Sequence, residues 1–348
     1  MVLEKRPRAT DLGLKIGILP LGSNNTITDV PDVSVGHVTL KYGDGPLIVG
    51  QGPVRTGVTV VLPCSGNIFE KKVTGAFHII NGFGKAVGFP QVMELGVIES
   101  PIALTGTLST WRVADGLIDY LASYNSGIQS FNPIVGECND GFLNDIVGRH
   151  VGPQQVLEAI ERAVSPNIEE GNVGAGTGMT GFGWKGGIGT SSRICNSSGE
   201  DFIVGALTLT NTGDPRELRV NGFQIGEHML PPIGKLVDDG SIMIVVATNA
   251  PVTSRQLGRL ARRAVFGLGR IGGIASHGSG DFVIAFSNYQ GNEFIGDDDL
   301  TNLFRGVVES TEESILNSIL RAETTIGRDG NVRYGIDIDK LKGLINER

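Results

Sequence analysis

The chain has 348 residues, of which 40% are hydrophobic and 19% charged, and its formal net charge at pH 7 is −8. This composition is typical of a globular protein with a large core, and the acidic balance argues against a nucleic-acid partner. No apolar stretch is long enough for a membrane span or a signal peptide, so we expect a cytoplasmic protein with no membrane partner.

Predicted strands and helices interleave along the whole chain. Segments rich in β-branched or alternating apolar residues predict strands at residues 33–40, 57–62, 76–80, 202–210, 241–248 and 281–287. Apolar residues at helical spacing predict helices at residues 110–122, 153–164 and 254–268, and a further helical pattern over 300–308 that 315–320 extend. No Pro/Ser-rich linker divides the chain, which indicates one α/β domain over residues 1–348.

No motif in the chain predicts a cofactor or a metal ion. Gly176, Gly178 and Gly181 formally match G-x-G-x-x-G, but neither a strand before them nor a helix after them is predicted, as a dinucleotide site requires. We interpret the glycine-rich residues 174–189 as close-packed backbone beside a pocket or subunit contact. The cysteines lack the spacing of a zinc site or a disulfide framework: Cys64, Cys138 and Cys195.

Polar side chains follow two of the apolar segments. Glu137 and Asn139 come after the apolar residues 133–135, where a carboxylate could hold a substrate ammonium, or residues 139–141 could simply form a turn. Asn211 ends the predicted strand 202–210. Its side-chain amide could donate a hydrogen bond to an oxyanion, and it could equally begin a turn.

The junction between Gly240 and Ser241 places one hydroxyl at the start of a predicted strand. The dipeptide is ordinary by itself, since it also occurs at Gly22–Ser23 and Gly278–Ser279. A cut before Ser241 would create an α-amine, with an ordinary pKa of about 7.7–8.0, beside the hydroxyl. The nucleophile and its base would then belong to one residue. The five histidines are scattered and no G-x-S-x-G motif is present, so a histidine base has no support from the sequence.

A second polar segment, Gly278-Ser279-Gly280-Asp281, opens the predicted strand 281–287. If this strand pairs with the one that begins at Ser241, Ser279 and Asp281 project to one face, because side chains alternate along a strand. Their hydroxyl and carboxylate could orient the Ser241 amine and relay protons. The alternative is a turn followed by a strand, with Asp281 as a cap.

Seven segments, taken in their order, give the chain a family resemblance over nearly its whole length. They are NTITDVPDVSVGH (25–37), VRTGVT (54–59), NGFG (81–84), SPIALT (100–105), ECNDG (137–141), WKGGIGT (184–190) and the Gly240–Ser241 junction. The chain resembles the D-stereospecific and β-peptide-specific aminopeptidases, self-processing serine hydrolases also called L-aminopeptidase/D-esterase.

The resemblance implies a fold, a processing step and a set of site residues. The fold would be a four-layer αββα sandwich, similar to N-terminal-nucleophile hydrolases but with different connectivity, usually assembled as a homotetramer. Self-cleavage would give residues 1–240 and 241–348. The residues carried over by matching motif are Ser241 as nucleophile, Asn211 as oxyanion donor, Ser279 and Asp281 as assisting groups, and Glu137 as the anchor of the substrate ammonium. Asn139 is predicted as a second substrate-binding residue.

Two positions depart from the family pattern as we expect it, and they leave the preference for D, L or β residues open. Some β-aminopeptidases have glutamate in place of Asp281, and a D-aminopeptidase relative has tyrosine in place of Asn139. The predicted function is release of the N-terminal residue from short peptides, amides or esters through an acyl-enzyme. The alternatives are an acyltransferase that uses the same acyl-enzyme and a non-catalytic assembly protein that keeps the fold.

Overall fold

The computed structural model describes residues 5–232 and 240–346, so Asp238 and Asp239, which precede the predicted junction, lie outside the described residues. The helices are α1 (Phe89–Leu95), α2 (Thr110–Tyr124), α3 (Pro153–Glu161), α4 (Ser254–Ala261), α5 (Ala264–Arg270), α6 (Thr301–Leu320) and α7 (Ile338–Asn346). The strands are β1 (Ser34–Tyr42), β2 (Val54–Leu62), β3 (Val73–Gly82), β4 (Val97–Ile98), β5 (Ile102–Gly106), β6 (Ile134–Cys138), β7 (Thr180–Gly181), β8 (Trp184–Lys185), β9 (Gly187–Ser197), β10 (Glu200–Asn211), β11 (Arg219–Val220), β12 (Phe223–Gln224), β13 (Ser241–Thr248), β14 (Gly280–Ser287), β15 (Thr325–Ile326) and β16 (Val332–Arg333).

Two sheets form the centre of the fold. The smaller sheet has the strand order β1-β2-β5-β6, and the larger has the order β4-β3-β14-β13-β10-β9. In the larger sheet, β13 pairs antiparallel with β10 on one side and parallel with β14 on the other. The strand that begins at Ser241 therefore has a hydrogen-bonded neighbour on each side, which holds its first residue in a fixed position.

Three apolar clusters show how the layers stack. One cluster fills the space between the sheets, with Leu104 of β5 and Met243 of β13 among its members. A second joins the other face of the larger sheet, which includes Ile244, to α4, α5 and α6, where Leu303 lies. A third packs the outer face of the smaller sheet, which includes Val60, against α2 and α3. This order of helices, sheet, sheet and helices is the αββα sandwich that the resemblance implied.

The predicted strands are present, and most extend beyond the predicted bounds. The single helix predicted over residues 254–268 is wrong in one respect, because α4 ends at Ala261 and α5 begins at Ala264. Between them, the N–H of Arg263 bonds to the carbonyl of Leu260, a tighter i→i−3 turn. The apolar spacing of the two helices is compatible with this break, since Leu260 and Ala264 are both fully buried.

The glycine-rich residues 174–189 form a short 3-10 turn, the hairpin β7–β8 and the start of β9. A Cβ atom at Gly189 would lie 1.9 Å from the carbonyl oxygen of Ser314 in α6, so only glycine permits this approach of helix to strand. The predicted close packing of backbone is thus present. No helix among residues 5–232 and 240–346 is long and apolar enough to cross a bilayer.

Candidate active site

A cavity of about 340 Å³ opens at the end of the larger sheet where β13 begins. Five of the predicted site residues lie on its wall: Glu137, Asn139, Asn211, Gly240 and Ser241. They come from three different strand ends, so the fold gathers groups that lie far apart in the chain. None of the described residues on this wall is a histidine.

Ser241 is the first residue of β13, and its side chain is nearly buried, with 7% exposure. It lies on the strand face shared with Met243, which points between the two sheets. Its hydroxyl donates a hydrogen bond to the carbonyl oxygen of Gly240 (2.8 Å) and accepts one from the N–H of Gly280 (3.2 Å). The hydroxyl therefore contacts the carbonyl group of the peptide bond that the sequence predicts to be cut.

Asn211 ends β10 directly opposite Ser241 in the antiparallel register. Its Oδ1 accepts the N–H of Thr180 (2.8 Å), and its Nδ2 donates to the carbonyl oxygen of Asn139 (3.0 Å). These two bonds fix the orientation of the amide. An amide nitrogen carries two N–H groups, so one remains to donate to an oxygen bound in the cavity.

Glu137 lies near the end of β6, and its side chain is buried, with 2% exposure. Its Oε1 accepts the N–H of Lys85 (2.9 Å), and its Oε2 accepts the hydroxyl of Thr107. No cationic side chain pairs with this carboxylate within the described parts of the chain. A buried carboxylate on a cavity wall without a countercharge is suited to hold a cationic group of a ligand.

Asn139 shows the turn geometry that the sequence left as an alternative. Its side chain is exposed, and its Oδ1 accepts the N–H of Gly141 (2.9 Å), which closes an Asx turn. Through its carbonyl oxygen, the residue also holds the amide of Asn211. A direct contact of the Asn139 side chain with substrate stays a prediction.

Ser279 and Asp281 form a buried pair on the neighbouring strand. The Ser279 hydroxyl donates to Oδ1 of Asp281 (2.7 Å), and both residues have 0% exposure. Strand alternation puts Asp281 on the face of β14 that carries Val283 and packs on the helices, the face opposite to Ser241. The link to Ser241 runs through Gly280, the residue between the pair, whose N–H reaches the Ser241 hydroxyl. Neither member of the pair lines the cavity.

The carboxyl group of Asp281 lies in an unusual environment. Burial raises its pKa to about 6, and the Ser279 hydroxyl and the nearby N–H of Ile242 offset only part of that effect. Its Oδ2 is buried and has no hydrogen-bond partner among residues 5–232 and 240–346. A buried acceptor without a hydrogen bond lowers the stability of the folded protein unless a donor from elsewhere binds to it.

The raised pKa of Asp281 predicts how pH affects stability. Ionisation of this group opposes folding, so its penalty is absent below about pH 4, grows as the pH rises to 6, and is complete above that. In an uncleaved Ser241→Ala background, Asp281→Asn should therefore gain up to roughly 3 kcal/mol over its parent between pH 4 and 7. Denaturant unfolding at both pH values measures this gain, with the exposed Asp298→Asn as control. A difference between variant and parent that does not change with pH would contradict the assignment.

Several wall residues were not found from the sequence. Thr107 follows β5, Thr180 begins β7, and Arg333 ends β16, where Phe142 packs against it. Each is a lone polar residue in a short segment, without a motif that marks it.

Asp140 was singled out from the sequence only as part of the turn after Glu137. It is buried and accepts a hydrogen bond from the Thr56 hydroxyl (2.5 Å), and burial raises its pKa to about 6.

Comparison with known proteins gives consistent matches. Residues 25–333 match the model of a family described as Peptidase family S58. The chain is 41% identical to beta-peptidyl aminopeptidase BapA of Sphingosinicella microcystinivorans, over 98% of this chain and 92% of that protein.

Two solved structures have similar folds. The PH0078 protein of Pyrococcus horikoshii OT3 superposes with a TM-score of 0.93 at 46% identity, over 98% of this chain and 99% of that one. The L-aminopeptidase D-Ala-esterase/amidase of Ochrobactrum anthropi, described as a variant of the Ntn hydrolase fold, gives a TM-score of 0.89 at 32% identity, with the same two coverages. The matched region includes every residue on the cavity wall named above.

Proposed function

The chain belongs to peptidase family S58 and is a hydrolase with aminopeptidase activity, and from this premise we propose that Ser241 is its self-generated N-terminal nucleophile. The observation that carries the proposal is the position of the Ser241 hydroxyl. It lies against the carbonyl of Gly240, beside the fixed amide of Asn211, in a cavity that also contains the Glu137 carboxylate. The experiment that tests it is identification of the residue at the start of the smaller fragment after folding.

In the proposed processing step, Ser241 Oγ attacks the carbonyl carbon of Gly240. The C–O bond forms, the C–N bond of the peptide breaks, and the nitrogen takes the proton lost by Oγ to become the α-amine of Ser241. Water then hydrolyses the ester, which leaves residues 1–240 with a carboxylate and residues 241–348 with a free amine. No cofactor is needed for this sequence of steps.

The cleaved halves would stay together because their contacts are extensive. β13 and β14 of the second half lie in the same sheet as β10 and β3 of the first. In addition, Arg193 on β9 forms a fully buried ion pair with Glu313 of α6 (2.7 Å) and a longer one with Glu309 (3.2 Å). Separation of the two halves would expose the apolar clusters on both faces of the larger sheet and leave these buried charges without partners. Both changes are strongly unfavourable in free energy.

In the peptidase reaction, the new amine takes the proton of Ser241 Oγ as the oxygen attacks the acyl carbon of the substrate. The second N–H of Asn211 Nδ2 and a backbone N–H stabilise the oxyanion. The amine of the leaving group takes the proton, and water later releases the acyl group. Glu137 holds the substrate ammonium and thereby places the N-terminal residue in the cavity.

Ser279 and Asp281 act as positioning residues in this proposal. Gly280, which lies between them, supplies the N–H that holds the Ser241 hydroxyl. Oδ2 of Asp281 has no hydrogen-bond partner among the described residues, and it would accept a bond from the amine that cleavage creates. That amine would belong to the residue before Ile242, whose N–H already lowers the pKa of Asp281.

The substrate class follows from the relatives. One is described as a beta-peptidyl aminopeptidase and another as an L-aminopeptidase and D-Ala-esterase/amidase. We therefore propose short peptides, amides or esters with an N-terminal L-, D- or β-amino acid as substrates. Homotetrameric assembly and cytoplasmic location stay predictions.

Glu137→Gln should selectively impair substrates with a free amine. The variant keeps the size of the side chain but loses the charge, so kcat/KM for a free-amine anilide should fall roughly 10²-fold or more. For the N-acetylated anilide it should change less than about threefold, so the preference for the free amine should shrink. Glu293→Gln, at an exposed site, is the control. Equal losses on both anilides would remove Glu137 from the anchoring role.

A further inference from the structure

Arg333 is a buried cation on the wall of the same cavity. It ends β16 and has 2% exposure. Its Nε donates to the hydroxyl of Thr180 (3.0 Å), and its guanidinium carbon lies 3.5 Å from the ring centre of Phe142. The hydrogen bond and the stacking contact fix the plane of the guanidinium group before any ligand binds.

No carboxylate among the described residues forms an ion pair with Arg333. Within residues 5–232 and 240–346, it has no ion pair, and only its Nε has a hydrogen-bond partner. Burial lowers its pKa to about 10, with no contribution from an acidic group among the described residues, and at that pKa the guanidinium is still charged at neutral pH. The two terminal nitrogens of the guanidinium group have no hydrogen-bond partner among the described residues and can therefore donate to a ligand.

The cavity thus contains two separate charges of opposite sign, neither of which has an ion-pair partner in the part of the chain that the structure describes. Glu137 is held by Lys85 and Thr107, whereas Arg333 is held by Thr180 and Phe142. The Asn211 amide connects the surroundings of the two charges. It bonds to the backbone of Asn139, two residues after Glu137, and to the backbone of Thr180, whose hydroxyl accepts the Arg333 hydrogen bond. A ligand that satisfies both charges must carry an ammonium and an anionic group, with the bond to be cut near Asn211 and Ser241.

We propose that Arg333 binds the free C-terminal carboxylate of the substrate, so that the preferred substrates are short peptides, above all dipeptides, with an unblocked carboxyl end. The inference rests on the proposed function and narrows its substrate class. A guanidinium fork matches a carboxylate with two parallel hydrogen bonds. The cavity volume of about 340 Å³ lies near the lower limit for ligand sites, which favours a short ligand.

Lys85 is the other cationic residue on the described wall, and it is less suited to this role. Its side chain is exposed, and its ammonium lies 5.9 Å from the ring centre of Phe83. Its backbone N–H holds Glu137, which puts it at the end of the cavity assigned to the substrate ammonium.

The test compares dipeptides with their C-terminal amides. The probes are L-Ala-L-Ala, D-Ala-L-Ala and β-Ala-L-Ala, each as free acid and as carboxamide, and kcat and KM are measured on the processed enzyme. The wild type should prefer the free acid of its best substrate. Arg333→Met should lower kcat/KM for that acid roughly 10- to 100-fold, mainly through KM, and change the amide less than about threefold. Arg333→Lys should keep part of the preference, and the exposed Arg305→Met all of it.

The outcomes separate this inference from the proposed function. Turnover of acid and amide at equal rates by the wild type overturns the role of Arg333 and leaves the aminopeptidase intact. Equal losses on both substrates in Arg333→Met and Arg333→Lys also overturn it, because a merely structural residue would act on both. A processed chain that cleaves no probe and no anilide contradicts the proposed function itself.

Discussion

Ser241→Ala should yield a single intact chain whose aminopeptidase kcat/KM is lower by at least about 10⁴-fold. The substitution removes the nucleophile, and since no cut occurs, it also removes the α-amine that serves as base. Loss of a nucleophile in serine hydrolases costs about 10⁶-fold in kcat, so a loss of this size is expected even with residual background hydrolysis. The measurement is turnover of a free-amine anilide, with electrophoresis of the same sample.

Ser23→Ala is the matched control, because Ser23 also follows a glycine but lies at an exposed site. It should process and turn over like the wild type. The fold of Ser241→Ala should be unchanged, since the hydroxyl bonds only to Gly240 and Gly280 in the described structure. A Ser241→Ala chain that retains more than a few per cent of the activity would remove Ser241 from the chemistry.

Asn211→Leu should lower kcat for the same anilide by about 10²- to 10³-fold, with little change in KM. The amide contributes most when negative charge develops on the carbonyl oxygen, and its loss therefore affects the transition state more than the bound substrate. Processing should slow as well, because the tetrahedral intermediate at Gly240 needs the same donor.

Asn211→Asp separates the two roles of the amide. Aspartate keeps an oxygen that can accept the N–H of Thr180, as Oδ1 does now, but it has no N–H for the oxyanion. This variant should fold normally and lose at least as much kcat as Asn211→Leu. A folded Asn211→Asp enzyme with kcat within tenfold of the wild type would exclude Asn211 as the oxyanion donor.

The elements of the fold were largely predictable, because their apolar patterns are local. The strand that begins at Ser241 follows from an abrupt change to β-branched residues, and the long pattern from Leu300 to Leu320 became α6. The break between α4 and α5 was not predictable. The apolar spacing continues through it, so the pattern alone does not reveal the tighter turn at Arg263.

The site was only partly predictable from the residues themselves. Asn211 and Ser241 were each marked by a strand end, but nothing local says that these two ends lie opposite each other in one sheet. Glu137 was proposed as an anchor, but residues 139–141 could equally have formed a simple turn, and only the structure shows that the Glu137 carboxylate is buried with no cationic partner among the described residues. Arg333 gave no sequence signal, because its importance arises from contacts with Thr180 and Phe142, which lie far away in the chain.

The most direct test of self-generated nucleophilic catalysis is the identity of the chain termini in the folded, active protein. Intact mass measurement and N-terminal sequencing of the purified wild type should show two fragments, the smaller of which begins Ser-Ile-Met-Ile-Val. The Ser241→Ala sample, handled in parallel, should show one chain that begins at the original terminus. A wild-type sample that turns over substrate while every molecule remains a single uncut chain would contradict the proposed mechanism.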